Sequence, residues 1–147
     1  MARTHNLGKQ GEELVAELLQ KRGWQIMARN WRRPGAELDL IARRGEQILF
    51  VEVKTRRSLK ARNDMAQILP WRKLQILRRS TNIFLTLVKP EGVKTVRLYL
   101  ALVSGSQDAQ GVSWVSLEGE TYSELGQSKF YNEKTPPSLA GYFSGLR

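Results

Sequence analysis

Cysteine is absent from this 147-residue chain, and histidine occurs once, at His5. That removes disulfides, thiolate nucleophiles, Cys-ligated zinc and His-rich metal sites, and it argues against a Ser-His-Asp triad. Any catalysis must rest on carboxylates, lysines and arginines. Long apolar runs are missing too. No stretch approaches the roughly 20 residues a membrane helix needs, and the opening "MARTHNLGKQGEEL" lacks the apolar run of a secretory signal. A soluble, cytoplasmic protein with no membrane partner is expected. Acid is scarce as well: 14 Asp/Glu stand against 24 Lys/Arg, a formal net charge of +10.

The positive charge is concentrated. Residues 1–115 hold 21 Lys/Arg against 10 Asp/Glu, whereas residues 116–147 hold 3 against 4. From Lys54 to Arg79 the cations Lys54, Arg56, Arg57, Lys60, Arg62, Arg72, Lys73, Arg78 and Arg79 meet one acid, Asp64, a denser run than a mixed solvated face requires. A polyanionic partner is expected. Nucleic acid fits best, because Lys and Arg neutralise phosphates and because Trp31 and Trp71 stand among arginines where a ring can stack on a base. The plainer alternative is a basic protein whose charge serves only solubility or scaffolding.

With 41% hydrophobic residues the chain can build one ordinary core, so one domain is expected. From Leu7 to Arg22 the positions Leu7, Leu14, Val15, Leu18 and Leu19 recur at helical spacing, and Gly23 is placed to end the helix. The runs "WQIMARNW", "ELDLIA" and "QILFVEVK", separated by "RRPGA" and "RRGE", predict three strands in an antiparallel meander. "LPWRKLQILRRSTNIFLTLV" predicts a second helix with Pro70 in its first turn, and "VKTVRLYLALV" and "VSWVSL" predict two more strands. The result is an α/β fold of order α-β-β-β-α-β-β, with about five strands flanked by helices. Residues 116–147, with Pro136, Pro137 and scattered aromatics, read as an appended, partly ordered C-terminal extension to a 1–115 domain.

One short stretch carries chemistry. In "ILFVEVKTRR" a buried-looking strand ends in Glu52, Lys54 and further cations. Residues i and i+2 of a strand share a face, so Glu52 and Lys54 project together, about 7 Å apart. The turn around Gly45 folds back the strand carrying Asp39 and brings that acid toward the same end. Two carboxylates and a lysine there suit a hard divalent ion, Mg²⁺ or Mn²⁺, and such an ion can hold a phosphate while Lys54 orients water or balances charge, as phosphodiester hydrolysis requires. An acid-x-Lys pair alone arises about once by chance in a chain of this composition. The bland reading is therefore a surface ion pair at a strand end, with Asp39 a turn-proximal acid and Glu12 a solvated helix residue.

The full array "GKQGEELVAELLQKRGWQIMARNWRRPGAELDLIARRGEQILFVEVKTRR" resembles the YraN family of small bacterial proteins. The shared pattern is a Gly and Gly-Glu pair opening the first helix, Arg-Asn-x-Arg, then Glu-hydrophobic-Asp-Leu-Ile and hydrophobic-Val-Glu-Val-Lys-x-Arg. It is dense over residues 8–57, weak through the second helix and the Val96 to Val103 strand, and absent from the C-terminal extension. The family is similar in motif order to PD-(D/E)XK nucleases, the restriction-endonuclease-like fold, and to archaeal Holliday-junction resolvases. Carried over by position, the resemblance implies a mixed sheet and a catalytic set of Glu12, Asp39, Glu52 and Lys54, with Glu12, Asp39 and Glu52 toward the metal. Leu38 precedes Asp39 here, so the proline of the superfamily's name is absent. Where an acidic residue is expected after the Arg-aromatic step, the later strand reads "VRLYLALV".

Three expectations follow. The leading one is a Mg²⁺- or Mn²⁺-dependent endonuclease of the PD-(D/E)XK type on nucleic acid, with DNA favoured over RNA and branched DNA a candidate. Arg32, Arg33, Arg56, Arg57, Arg72, Lys73, Arg78 and Arg79 would then grip phosphates. The second is a non-catalytic nucleic-acid-binding module, and the third a basic subunit of a nucleoprotein assembly. Cutting a symmetric junction needs two active sites, so a homodimer is a further expectation. The apolar face of the second helix is either its interface or core.

Overall fold

Leu14, Val15, Leu18 and Leu19 place one apolar stripe on a helix, and Gly23 stops it. In the computed structural model, which describes residues 2–56, 68–104 and 111–117, this helix, α1, runs Ala2–Lys21. It begins before the Leu7 expected from periodicity, because Ala2 to Asn6 include no glycine or proline to break it and no large apolar residue to announce it. Its end is a Schellman turn: Gly23 takes φ 86, the Gly23 N–H donates to Gln20 O, and the Trp24 N–H donates to Leu19 O, each at 3.0 Å. Trp24 then packs beside Leu19 in the core.

Three antiparallel strands follow: β1 (Gln25–Arg33), β2 (Ala36–Arg44) and β3 (Gln47–Arg56). Their turns use Gly35 at φ 72 and Gly45 at φ 57, backbone that a side chain resists. Helix α2 (Trp71–Val88) then carries the chain to β4 (Thr95–Ser104), which pairs parallel to β3, and β5 (Val112–Ser116) pairs antiparallel to β4. Pro70 stands at the N-cap of α2, one position before the first turn. The sheet order is β1-β2-β3-β4-β5. The expected α/β order is therefore observed among the described residues, with a mixed sheet between two helices.

Each face of the sheet has its own core. Val15, Ala16 and Leu19 of α1 meet Leu40, Leu49, Val51, Tyr99 and Trp114, while Leu74, Leu77 and Phe84 of α2 meet Ile41, Ile48, Phe50, Leu100 and Val115. Central β3 serves both, which is why "ILFV" reads as a continuous apolar run. The apolar face of α2 is thus core; of its large hydrophobics only Trp71 at its start and Leu87 and Val88 at its end are exposed. Ser80 and Thr81, buried on α2, return their hydroxyls to Ile76 O and Arg78 O, and Ser80 Oγ also accepts the N–H of Glu37, docking the helix on β2. Ser116 ends β5 and Leu117 beyond it is buried; of the expected 116–147 extension, residues 118–147 lie outside the described residues. Among the described residues no helix is long and apolar enough to cross a membrane.

Candidate active site

A single strand loses a neighbour here. β2 and β3 pair from Arg44 and Gln47 up to Leu40 and Val51, whereas β3 stays paired with β4 as far as Arg56 and Ser104. The parting falls at Asp39. Leu38 and Leu40 are both buried, yet Leu38 lies in the core under α2 and Leu40 in the core under α1. Residues two apart in a regular strand share a face, so β2 turns over at Asp39. β1 is irregular at the same level: Arg29 pairs with Leu40 and Trp31 with Leu38, and Asn30 between them takes φ 49.

Asp39 occupies the fork that results. Its Oδ2 accepts the backbone N–H of Val53 at 2.9 Å, standing in for the carbonyl a paired strand would offer. On β3, Ile48, Phe50, Glu52 and Lys54 face α2 by alternation. Glu52 is 2% exposed, with Lys54 Nζ 3.4 Å and Lys73 Nζ 3.6 Å from its Oε1. Lys73, from the first turn of α2, also makes a short ion pair with Glu37. Glu52 Oε2 is buried with no hydrogen-bond partner among the described residues.

The electrostatics follow from this crowding. Burial, and then the Asp39 carboxylate, push Glu52 from its ordinary 4.5 to about 7 against the opposing pull of Lys73 and Lys54. Glu52 is therefore poised to gain or lose a proton near neutrality. Burial would lower the Lys73 ammonium, but the neighbouring Glu52 and Glu37 outweigh it and hold the lysine above its usual range. Its hydrogen bond to Lys73 holds Glu37 below the usual carboxylate range, against a smaller push from burial.

Asp39, Glu52 and Lys54 are thus brought to one place, as the strand pairing implied. Glu12 sits on the α1 side, lining a cleft with Lys9, Gln10, Glu13, Arg29 and Asn30. Among the described residues no three acidic or imidazole side chains group closely enough to hold a metal ion together; Asp39 acts directly on Glu52, and Glu37 joins them through Lys73. The expected phosphate-gripping cations divide. Arg32, Arg33, Arg56, Arg72 and Arg79 are exposed, Arg78 is half-buried and donates to Leu117 O, and Lys73 is engaged inside the site. Arg57 lies outside the described residues.

Two members of the cluster escaped sequence reasoning: Glu37, and Lys73 in this role. A signal existed for the first. Counted back from the Gly45 turn, Glu37 is level with Lys54 just as Asp39 is level with Glu52. Nothing local marks Lys73, because its place depends on how α2 docks.

Comparison with known proteins adds a family. The model of the uncharacterised protein family UPF0102 matches residues 11–103, a span that contains Glu12, Glu37, Asp39, Glu52, Lys54 and Lys73. A UPF0102 protein of Synechococcus sp. is 36% identical over 109 residues, 74% of this chain and 83% of that protein. One from Chlorobium limicola is 39% identical over 87 residues, 59% of this chain and 67% of that protein. One from Nitratidesulfovibrio vulgaris is 56% identical over a shorter 52 residues, 35% of this chain and 39% of that protein.

Proposed function

This chain belongs to the uncharacterised UPF0102, or YraN, family, and from that premise and the forked strand pair we propose that it is a metal-dependent endonuclease acting on nucleic acid, DNA in preference to RNA. The observation that carries this reading is the buried Glu52, whose Oε2 has no partner among the described residues, set beside Asp39 and two lysines at the end of a sheet. A strand end that needed only stability would carry a hydrocarbon there, because an enclosed carboxylate costs free energy unless fully partnered.

The donor set fits a hard divalent ion. Both acids offer oxygen, Glu52 Oε2 is unclaimed among the described residues, and Mg²⁺ characteristically uses one or two carboxylates with water and substrate phosphate completing its shell. Asp39 and Glu52 would hold Mg²⁺ or Mn²⁺, whose chemistry when bound is to polarise a phosphoryl oxygen and acidify water. Glu12, on the α1 side, is the third acid of the proposal and acts through water. Lys54 directs an ammonium at the same carboxylate, where it orients the attacking water and offsets the charge that builds on the phosphate. Lys73 holds Glu52 and Glu37 in register and limits the repulsion between Glu52 and Asp39. Arg32, Arg33, Arg56, Arg72 and Arg79 supply exposed positive charge for backbone phosphates. Use of a two-fold junction would require two copies, so a homodimer belongs to the same proposal.

One observation favours a second reading. Lys54 and Lys73 already flank Glu52, so the cluster neutralises much of its own charge, which suits a nucleic-acid-binding module that does not cut. Cleavage of end-labelled four-way junction, flap, duplex and single-stranded DNA, with RNA alongside, separates the two. With Mn²⁺ or Mg²⁺ the parent should cut, chelator should stop it, and Lys54→Ala should reduce the rate by about 100-fold or more while binding equally well. Binding without cutting under every metal would leave the module.

A further inference from the structure

Beside the carboxylates lies a second, separate cleft. The tip of the β1–β2 hairpin and α2 enclose it, and its lining includes Arg32, Arg33, Gly35, Glu37, Ile76 and Arg79. Three guanidinia thus meet one carboxylate, and that carboxylate is already paired with Lys73. The surplus is strongly positive. Two of the three guanidinia are also held in place. Arg79 Nε donates to Gly35 O at 3.2 Å, Arg33 Nη1 donates to Arg32 O at 2.7 Å, and the Arg33 guanidinium lies over the Trp31 ring, 5.0 Å from its centroid. A guanidinium tied through one N–H keeps its other donors for a ligand and has less freedom left to lose on binding.

These features point to one ligand chemistry. A fork of fixed N–H groups matches the oxygens of a phosphate better than a single ammonium does. Ile76 gives the cleft an apolar floor, against which a sugar can rest. Arg72, Ile76 and Arg79 fall at i, i+4 and i+7 on α2, so the basic line continues along the helix. Glu37 is both a wall of this cleft and the partner of Lys73, which touches Glu52; the Glu37–Lys73 pair is therefore a partition between the two sites.

We propose that the Arg32–Arg33–Arg79 cleft binds a backbone phosphate of the nucleic-acid strand next to the one presented to Asp39 and Glu52, fixing the path of the strand across the site. This rests on the nucleic-acid reading above but not on cleavage. The test is equilibrium binding of fluorescently labelled single-stranded and duplex DNA in chelator across a salt series. Arg79→Gln and Arg32→Gln are compared with the parent and with Lys94→Gln. Lys94 lies at the opposite end of the sheet in an exposed pair with Glu46, and its loss removes the same unit of charge.

Arg79→Gln and Arg32→Gln should each weaken binding about tenfold and lower the salt slope by about one unit. Lys94→Gln should do neither. Arg32 is exposed, so its variant serves even if the Arg79 variant folds poorly. Cleft variants that match Lys94→Gln, while the parent binds DNA, overturn the cleft and leave the nucleic-acid reading intact. A parent that binds no nucleic acid at any salt overturns both. Loss of binding to a labelled poly-glutamate peptide in these variants, with DNA binding untouched, would assign the cleft to an acidic protein partner instead.

Discussion

The two halves of β3 share one alternation and the β4 neighbour, and differ on the β2 side and on the face toward α2. From Ile48 to Val51 the strand lies between β2 and β4, with Ile48 and Phe50 sealed under α2 and Leu49 and Val51 sealed under α1. From Glu52 onward β4 is its sole paired neighbour among the described residues, and the positions that faced α2 as Ile48 and Phe50 become Glu52 and Lys54. In the closed half a carboxylate would meet hydrocarbon, and the backbone donors of β2 are taken up by the ladder. In the open half the Val53 N–H is free to take Asp39, and there is room for two lysines. The acids and lysines collect where pairing stops, because the unpaired strand donors and the space left there let charged groups be enclosed and still find partners.

The largest contrast should come from mutating one residue in each half. Phe50 is 0% exposed and packs edge-on against Phe84, 5.5 Å between centroids at 81°. Phe50→Ala should lower unfolding free energy by about 3–5 kcal/mol through lost burial and the cavity left behind. Glu52→Gln, two residues along the same face, should change it by less than about 1 kcal/mol at neutral pH, since an amide keeps the shape and removes the charge that burial opposes. Denaturant titration of both variants decides the matter. Equal losses would mean that the open half contributes to stability as much as the closed one does.

That division also governs what could be read in advance. The helices and strands were legible because amphipathic spacing and the turn glycines act locally: Gly23, Gly35 and Gly45 fall where left-handed backbone is needed. The meeting of Asp39, Glu52 and Lys54 was legible too, since a tight turn at Gly45 fixes the register of β2 on β3. The reversal of β2 at Asp39 was not. "ELDLIA" looks like plain alternation with Leu38 and Leu40 on one side, and only the tertiary packing sends those two leucines into different cores. Lys73 was unreadable for a similar reason. In sequence it is one more cation in a basic run, and it becomes a partner of Glu52 only because Leu74, Leu77 and Phe84 dock α2 on this face.

A smaller difference between the halves should appear with pH. Burial and Asp39 raise Glu52 from 4.5 to about 7 in the folded chain, so between these values the folded state binds more protons than the unfolded state. The contribution of this group to stability is therefore fully present below about pH 4.5 and is lost as pH rises through about 7, a decline of up to about 3 kcal/mol. Glu52→Gln has no such group to titrate. The difference in stability between parent and variant should change by that amount across the window and flatten above it, measured by thermal or denaturant unfolding at several pH values. A flat difference would show that Lys54 and Lys73 keep Glu52 ionised throughout and that the open half carries no proton near neutrality.

The smallest expected effect concerns how α1 meets the open half. Gly8 and Gly11 both lie within the helix, where replacing glycine by alanine gains about 0.5–1 kcal/mol from backbone entropy alone. Their surroundings differ. A Cβ at Gly8 would have no heavy atom within 4 Å, whereas one at Gly11 would fall 2.1 Å from Thr55 Oγ1, on β3 beyond Lys54. Thr55 is β-branched and its Oγ1 is buried, so relief requires a strained rotamer or an outward shift of the helix. Gly8→Ala should therefore stabilise by the helix gain, while Gly11→Ala should be less stable than Gly8→Ala by about 1–2 kcal/mol. Glu12 follows Gly11 directly, so a helix lifted off Thr55 moves that carboxylate as well. Metal-dependent cleavage should fall in Gly11→Ala and persist in Gly8→Ala. If the two variants are equally stable and equally active, Thr55 has rotated out of the way, and the approach of α1 is set by Val15, Ala16 and Leu19 over the closed half rather than by the glycine over the open one.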